Sequence, residues 1–346
     1  MATTITTREF DRIREFLQRE TSISLTDDKA YLVETRLSEI MKAHGLPDFG
    51  ALLSALQAGQ PRGLRDLVID AMTTNETLWF RDGAPFDAFR EHLLPAWAGE
   101  IAAGKRQKIR IWSAACSTGQ EPYSLAMVYH EVARRLPALR PEHLDILATD
   151  LSDSVLATAK AGIYGGMAIQ RGLPAEYLDR WFVPAGDGRH EVRREIRDRV
   201  VFRKFNLRDS FIMMGSFDII LTRYVLIYFQ DDFKREVLRK AHGALDKGGV
   251  LFLGASESLP DGMPGFAVVR RGRTTWYQKA GNPTAAPSAA AAPGVAAPRP
   301  ASRPVTSPPA GSAPPASPAN AAGATAAADL NEVLQKLRDL NAKYDK

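Results

Sequence analysis

Two acidic residues follow successive predicted strands: Glu121 starts the helix after one strand, and Asp150 stands at the end of the next, where carboxylates commonly bind a nucleoside. Glu121 lies in the stretch SAACSTGQEPYSLAM at 113–127, which follows an apolar run at 109–112 and opens a helical pattern. Asp150 ends the next apolar run, in ILATDLS at 146–152. A carboxylate at the end of the second strand of a nucleotide-binding sheet accepts hydrogen bonds from both ribose hydroxyls. The pair therefore predicts a pocket for a nucleoside.

The turn before Glu121 favours a cationic nucleoside over a phosphorylated one. Its single glycine, Gly119, does not match the Gly-x-Gly-x-x-Gly pattern of dinucleotide sites, and no lysine follows it as in a phosphate-binding loop. The charge of Glu121 would repel phosphates and attract a cation. These features point to S-adenosylmethionine, which combines an adenosine with a sulfonium cation. In the alternative interpretation, Glu121 only charges the first turn of a helix and Asp150 only caps the next helix.

Other chemistries fit the sequence poorly. A serine hydrolase needs Gly-x-Ser-x-Gly, and Ala115 stands where the glycine before Ser117 belongs. The six histidines show no metal-ligand spacing, and the single cysteine, Cys116, excludes an internal disulfide framework or a cysteine pair for zinc. We therefore expect no metal and a reducing compartment.

The segment at 76–280 alternates short apolar runs with helical patterns, which indicates an α/β fold on a mostly parallel sheet. A hairpin pattern closes it at 266–279, and strand-like pieces at 181–205 predict a small antiparallel insertion. The apolar runs lie at 109–112, 145–149, 200–202, 218–221 and 250–253.

The other segments are helical or of low complexity. Helical spacing of apolar residues throughout 1–75 predicts a small all-helical N-terminal domain. The segment at 281–328 contains nineteen alanines and eleven prolines, which predicts a disordered linker. At 329–346 we expect an amphipathic helix that can dock a partner, with one apolar face formed by Leu330, Val333, Leu334, Leu337 and Leu340.

The net charge and the hydropathy of the sequence indicate where the protein is located and which partners it can bind. A formal charge of +5 over 346 residues does not form the basic cluster expected of a nucleic-acid-binding protein. No apolar run reaches the roughly 18 residues of a membrane span, so we expect no membrane insertion. We predict a cytoplasmic monomer that binds no nucleic acid.

Six motifs, in order, resemble those of the CheR-type chemotaxis receptor methyltransferases over residues 10–280. The resemblance implies a class I methyltransferase domain with a Rossmann-like sheet, S-adenosylmethionine as cofactor and S-adenosylhomocysteine as product. It also implies methyl transfer to glutamate side chains of a methyl-accepting chemoreceptor, as in sensory adaptation. The motifs are TTNETLWFR at 73–81, IWSAACSTGQEPYSLAM at 111–127, ILATDLSDSVLATAKAGIY at 146–164, FNL at 205–207, FDIILTRYVLIYF at 217–229 and GGVLFLGASESL at 248–259.

The resemblance also implies which residues contact the cofactor. Arg81 is the candidate that orients a carboxylate, either of the substrate or of the cofactor, and a plain ion pair at the domain boundary is the alternative role for it. A glutamate substrate is already ionised at neutral pH, so it needs no catalytic base. The implied cofactor contacts are Asn75, Thr77, Arg81, Glu121, Asp150, Asn206, Leu207, Arg223 and Tyr224.

Three departures from the family pattern bear on function. Tyr224 stands where the family has asparagine. The arginine run that the family uses against the receptor is reduced to Arg36 and Lys42, with Glu39 at an arginine position. The insertion at 181–205 is shorter than in members that bind a receptor's C-terminal pentapeptide, so we expect no such tether. The alternative function is therefore a catalytically weak or inactive module that binds S-adenosylmethionine or S-adenosylhomocysteine.

Overall fold

The computed structural model describes residues 4–272 and 274–280 of the chain. Its N-terminal part is all-helical, as the apolar spacing predicts, and it has a core of its own. Caps define two helix starts: Thr6 and Glu9 form a capping box, and Asp48 accepts from the N–H of Ala51 at 2.7 Å. The helices are α1 (Thr7–Thr21), α2 (Ala30–Ala43), α3 (Phe49–Ala58) and α4 (Leu64–Met72), with a 3-10 turn at Asp27–Lys29.

The second part is built on a sheet that has seven strands within the described ranges. In spatial order these are β6 (Val200–Lys204), β2 (Leu144–Asp150), β1 (Ile109–Ala114), β7 (Phe217–Thr222), β8 (Leu245–Leu253), β10 (Thr274–Lys279) and β9 (Phe266–Arg271). The first five are parallel, and the last two form an antiparallel hairpin on β8. The predicted α/β fold is confirmed.

Helices pack on both faces of this sheet, because alternate strand residues enter two separate cores. Ile219 and Leu221 of β7 join one core, whereas Ile220 joins the other. The helices are α5 (Ala84–Ala88), α6 (Leu94–Ala102), α7 (Gln120–Ala133), α8 (Asp153–Ala161), α9 (Met167–Gln170), α10 (Ala175–Trp181), α11 (Arg194–Arg197) and α12 (Asp231–Ala244). A π-helical turn lies at Phe89–Leu93, and 3-10 turns lie at Pro141–His143, Ile212–Met214 and Leu226–Tyr228.

The carboxyl ends of the central strands meet at one edge of the sheet. Ala114, the last residue of β1, is in register with Thr149 of β2 and Thr222 of β7. The next residues along the latter two segments are Asp150 and Arg223, which therefore lie at the same edge of the sheet, on either side of β1. This edge is where ligands bind in open α/β sheets.

A separate antiparallel sheet forms the insertion, but its bounds differ from the predicted 181–205. Its strands are β3 (Ile163–Tyr164), β4 (Phe182–Pro184) and β5 (His190–Val192), with β5 in the middle. β6 lies outside the insertion and pairs in parallel with β2. The apolar run predicted at 200–202 corresponds to β6, so the predicted insertion overlapped a strand of the main sheet. β6 is an edge strand with one exposed face, which gives it the mixed polarity of an antiparallel strand.

The helical domain contacts the chain beyond β7. Ile23, after α1, forms an antiparallel bridge with Phe229, and the N–H of Ser24 donates to the carbonyl of Tyr228 at 2.9 Å. These contacts place the loop after α1 beside the carboxyl edge of the sheet.

The predicted linker at 281–328 and the predicted C-terminal helix at 329–346 lie outside the described residues. Among the helices of the described ranges, none combines the length and the apolar character needed to cross a bilayer.

Candidate active site

A cleft opens at the carboxyl edge of β1, β2 and β7, next to the helical domain. Its volume, counted with the solvent space at its mouth, is ≈ 950 Å³. The structure brings together here every cofactor residue implied by the sequence motifs, while their individual roles stay predictions. These residues are Asn75, Thr77, Arg81, Glu121, Asp150, Asn206, Leu207, Arg223 and Tyr224.

Asp150 is buried and is held by backbone N–H groups on two sides. Its Oδ2 accepts from the N–H of Ser117 at 2.8 Å, and its Oδ1 accepts from the N–H of Ser152 at 3.0 Å. Burial raises the pKa of this carboxyl, and the backbone donors act in the opposite direction. Ser152 caps α8 through its Oγ, so the alternative that Asp150 caps this helix is wrong. Each carboxylate oxygen can accept a further hydrogen bond, which leaves Asp150 able to bind ribose hydroxyls.

The loop between β1 and α7 is bent through unfavourable backbone conformations. Ala115 and Ser117 have left-handed φ values of 61° and 49°, which are costly for residues with a side chain and are concentrated at functional sites. Gly119 follows at φ 94°, where a Cβ would lie 3.0 Å from the Cβ of Ala159. The hydroxyl of Ser117 donates to the carbonyl of Asn75 at 2.7 Å, which ties this loop to the segment between the domains.

Glu121 is paired with a buried arginine. Its Oε2 lies 2.7 Å from Nη1 of Arg223, and its Oε1 accepts from the hydroxyl of Ser113 at 2.7 Å. The Arg223 side chain is 2% exposed, and its Nη2 lies 2.7 Å from Oδ2 of Asp82. Burial opposes the charge of Arg223, but the two carboxylates raise its pKa. The expectation that Glu121 by itself attracts a cation therefore needs correction, because Arg223 already balances its charge.

Arg81 lies against the ring of Tyr224. Its Cζ is 3.6 Å from the ring centre, which is a close cation–π contact, and its Nη1 donates to the carbonyl of Glu76 at 2.9 Å. No carboxylate of residues 4–272 and 274–280 lies within ion-pair distance of Arg81, in contrast to the alternative of a plain ion pair at the domain boundary. Arg81 is therefore a cation of the cleft whose charge a ligand can balance.

Tyr224 is held at its hydroxyl and at its backbone. The hydroxyl lies 2.6 Å from Oδ2 and 2.8 Å from Oδ1 of Asp82, and it accepts from the N–H of Ala255 at 3.2 Å. The N–H of Tyr224 donates to Oε2 of Glu257 at 2.7 Å. Its φ of 57° is a conformation that asparagine adopts more readily than tyrosine. The phenol thus occupies the family's asparagine position at a cost in backbone strain.

The helical domain contributes residues that the motifs did not indicate. Thr21 and Ile23 line the cleft together with Tyr228 and Phe229. The latter two belong to the motif FDIILTRYVLIYF and could have been found from it. Thr21 and Ile23 have no such signal, because only the packing of one domain on the other brings them here.

The two predicted receptor contacts on α2 have different surroundings. Nη1 of Arg36 donates to the carbonyls of Met72 at 3.2 Å and Thr73 at 3.1 Å, where α4 ends. Burial lowers the pKa of Arg36. Lys42 is exposed. Arg36 therefore stabilises the connection between the domains, and a receptor contact of either residue stays a prediction.

The residues of the cleft fit S-adenosylmethionine. Asp150 is a buried acceptor of the kind that ribose hydroxyls require, and Glu121 and Arg223 are paired charges of opposite sign in the same cleft. The Nε of Arg223 is buried without a hydrogen-bond partner in the described chain, so a ligand can satisfy it. Leu207, which is 8% exposed, adds apolar surface.

Within residues 4–272 and 274–280, no group of three or more His, Cys, Asp or Glu side chains is arranged to hold a metal ion.

Comparisons with known proteins agree with this geometry and confirm the resemblance inferred from the motifs. The family model described as CheR methyltransferase, SAM binding domain, matches residues 75–274, and that described as CheR methyltransferase, all-alpha domain, matches residues 8–73. Chemotaxis protein methyltransferase Cher2 of Pseudomonas putida is 47% identical over 257 residues, which cover 74% of this chain and 92% of the relative. Chemotaxis protein methyltransferase 1 of Pseudomonas aeruginosa is 47% identical over 251 residues, which cover 72% and 90%. Chemotaxis protein methyltransferase of Vibrio parahaemolyticus is 46% identical over 269 residues, which cover 78% and 96%. The chain therefore belongs to the CheR family of chemotaxis methyltransferases, with S-adenosylmethionine as its cofactor.

Proposed function

We propose that this protein transfers a methyl group from S-adenosylmethionine to glutamate side chains of a chemoreceptor, or of a receptor-like signalling protein, in the cytoplasm. The products are a glutamate methyl ester and S-adenosylhomocysteine. The observation that carries the proposal is the position of Arg81, a cation without a carboxylate partner in the described chain, in the same cleft as Asp150. Asp150 suits the ribose of the cofactor, and Arg81 suits an anionic acceptor.

The reaction needs orientation more than acid–base catalysis. When bound, S-adenosylmethionine supplies an electrophilic methyl group on a sulfonium. The acceptor glutamate has a reference pKa of about 4.3 and is ionised at neutral pH, so its oxygen can attack directly. Neither histidine nor lysine lines the cleft in the described residues, in keeping with a reaction that removes no proton.

The residues of the cleft divide the remaining tasks. Arg81 orients the acceptor carboxylate, and alignment of this kind can supply about 7–11 kcal/mol of the barrier reduction. Thr21, Ile23 and Phe229 close one wall and exclude water, which favours a step in which two opposite charges neutralise each other. Asp150 and the buried Arg223 hold the cofactor end of the site.

The proposal includes receptor binding without a pentapeptide tether and a monomeric enzyme. In support of the former, β4 and β5 are joined by a short turn, in which Ala185 N–H donates to the carbonyl of Arg189 at 2.8 Å. Docking by the segment at 329–346 also belongs to the proposal, on the basis of its sequence pattern alone.

A second candidate function is a module that binds the cofactor or its product without turnover. Tyr224 at the family's asparagine position favours it, because the ring occupies part of the cleft.

One experiment separates the two candidates. The purified protein is incubated with methyl-labelled S-adenosylmethionine and chemoreceptor membranes from a Pseudomonas aeruginosa strain that lacks its own methyltransferases. An active enzyme incorporates label that base releases as methanol. Binding of the cofactor in calorimetry, without such label, would identify the module instead.

A further inference from the structure

Asp82 lies between two arginines but pairs with only one of them. Its Oδ2 is 2.7 Å from Nη2 of Arg223. Arg81, the preceding residue in the chain, acts on the Asp82 carboxyl through its charge, yet it is not within ion-pair distance. A carboxylate beside an unpaired guanidinium normally attracts it. Some feature of the cleft must therefore keep Arg81 away from Asp82.

Tyr224 separates the two residues. Its hydroxyl contacts both carboxylate oxygens of Asp82, at 2.6 Å and 2.8 Å, and so occupies the positions that a guanidinium would bind. Its ring lies 3.6 Å from Cζ of Arg81, and this cation–π contact holds the guanidinium against the ring. One side chain thus satisfies Asp82 and retains Arg81 elsewhere.

The backbone of Tyr224 indicates that these contacts, and not local preference, hold it in place. Its φ of 57° is rare for an aromatic residue. Gly254 is adapted to the ring, because a Cβ on Gly254 would lie 3.1 Å from two ring carbons of Tyr224.

We propose that Tyr224 is a positioning residue that keeps the Arg81 guanidinium available for the acceptor carboxylate by occupying Asp82. The inference rests on the proposed function, in which Arg81 receives that carboxylate. Without the phenol hydroxyl, Asp82 competes with the substrate for Arg81. This competition weakens substrate binding.

The test compares the wild type with Tyr224→Phe, which keeps the ring and removes the hydroxyl. The probe is the purified cytoplasmic fragment of a Pseudomonas aeruginosa chemoreceptor. We expect KM for the fragment to rise about tenfold, because a charge-assisted pair between Arg81 and Asp82 must first be broken before the fragment binds. The kcat and the Kd of S-adenosylhomocysteine are measured in parallel, because Tyr224 is also an implied cofactor contact. A rise in KM that exceeds any rise in this Kd supports the inference. Tyr277→Phe, which removes a phenol hydroxyl on β10 outside the cleft lining, serves as the matched control.

A second variant distinguishes positioning from a merely structural role. Adding Asp82→Asn to Tyr224→Phe removes the competing charge, while the amide oxygen can still accept from Arg223. If Tyr224 acts by shielding Arg81, this double variant should recover most of the wild-type KM. If Tyr224 has a purely structural role, the double variant should have a higher KM than the single variant.

The outcomes separate the inference from the proposed function. Two results would overturn the inference alone, provided that the wild type methylates the fragment. One is an unchanged KM in Tyr224→Phe, and the other is a higher KM in the double variant than in the single variant. Failure of the wild type to methylate would overturn the proposed function. In that event calorimetry with S-adenosylhomocysteine bound still tests the inference, through the Kd of the fragment. A roughly tenfold higher Kd in Tyr224→Phe and its recovery in the double variant would support the inference. An unchanged Kd, or no binding of the fragment, would contradict it.

Discussion

Nη1 of Arg223 and Oε2 of Glu121 lie 2.7 Å apart in an ion pair that is almost completely removed from solvent. Arg223 follows β7 and Glu121 lies in the first turn of α7, so the pair joins two elements that are distant in the chain. Asp82, from the segment before α5, contacts the same guanidinium. A single buried cation therefore organises three segments around the cofactor cleft.

Replacing Arg223 by methionine should lower the free energy of unfolding by about 3–5 kcal/mol, because Glu121 and Asp82 lose their buried partner. Urea denaturation at pH 7 measures the difference. The matched control is Arg194→Met, since the Arg194 side chain is 85% exposed. The control should change stability by less than about 0.5 kcal/mol. Equal losses in the two variants would contradict a special role for the buried pair.

Replacing Asp150 by alanine should raise the Kd of S-adenosylhomocysteine at least about tenfold, because hydrogen bonds to a charged acceptor contribute about 1.5–3 kcal/mol each. Titration calorimetry gives the value. Asp145→Ala, near the start of the same strand and 51% exposed, should bind like the wild type. An unaltered Kd in Asp150→Ala would remove this residue from the cofactor site.

Asp70 of α4 should make stability depend on pH. Its Oδ1 is buried without a hydrogen-bond partner in the described residues, and burial raises its pKa, against the hydrogen bonds of Ser152 and Ser154. Because the pKa is higher in the folded state than in the unfolded state, the folded protein holds this proton more tightly. Ionisation therefore costs stability as pH rises through the folded pKa, whereas below the unfolded value the cost is absent.

Asp70→Asn removes that ionisation. The variant should gain stability relative to the wild type as pH is raised from about 4 to 7, and the gap should narrow on return to acid. Unfolding free energies of both proteins across this interval give the answer. A gap that does not vary with pH would show that Asp70 ionises without cost.

Replacing Arg36 and replacing Lys42 should have different effects on the free energy of unfolding. Arg36→Ala should lower the free energy of unfolding by about 1.5–3 kcal/mol, because its charged hydrogen bonds to the carbonyls that end α4 are lost. Lys42→Ala should change stability by less than about 0.5 kcal/mol, since Lys42 is exposed. Any effect of Lys42→Ala should appear in KM for the receptor, and this effect should weaken with added salt. A stability loss at Lys42 and none at Arg36 would reverse these assignments.

The strand ends and the residues that follow them were predictable from local sequence. Short apolar runs locate β1, β2 and β7, and parallel strands present their carboxyl ends at one edge, so the residues that follow these strands share that edge. The six sequence motifs identified the family, and the residues they implied as cofactor contacts all line the cleft. The bounds of the insertion were less predictable, because an edge strand such as β6 resembles an antiparallel one in polarity.

The partners of the charged residues were decided by the tertiary structure alone. In sequence, Glu121, Arg223 and Arg36 all looked available to a ligand or a receptor. In the folded protein Glu121 pairs with Arg223, Arg36 donates to backbone carbonyls, and the Arg81 guanidinium lies against the Tyr224 ring. Periodicity reports which face of an element is buried, but an ion pair depends on which distant segments meet, and no local pattern encodes that meeting.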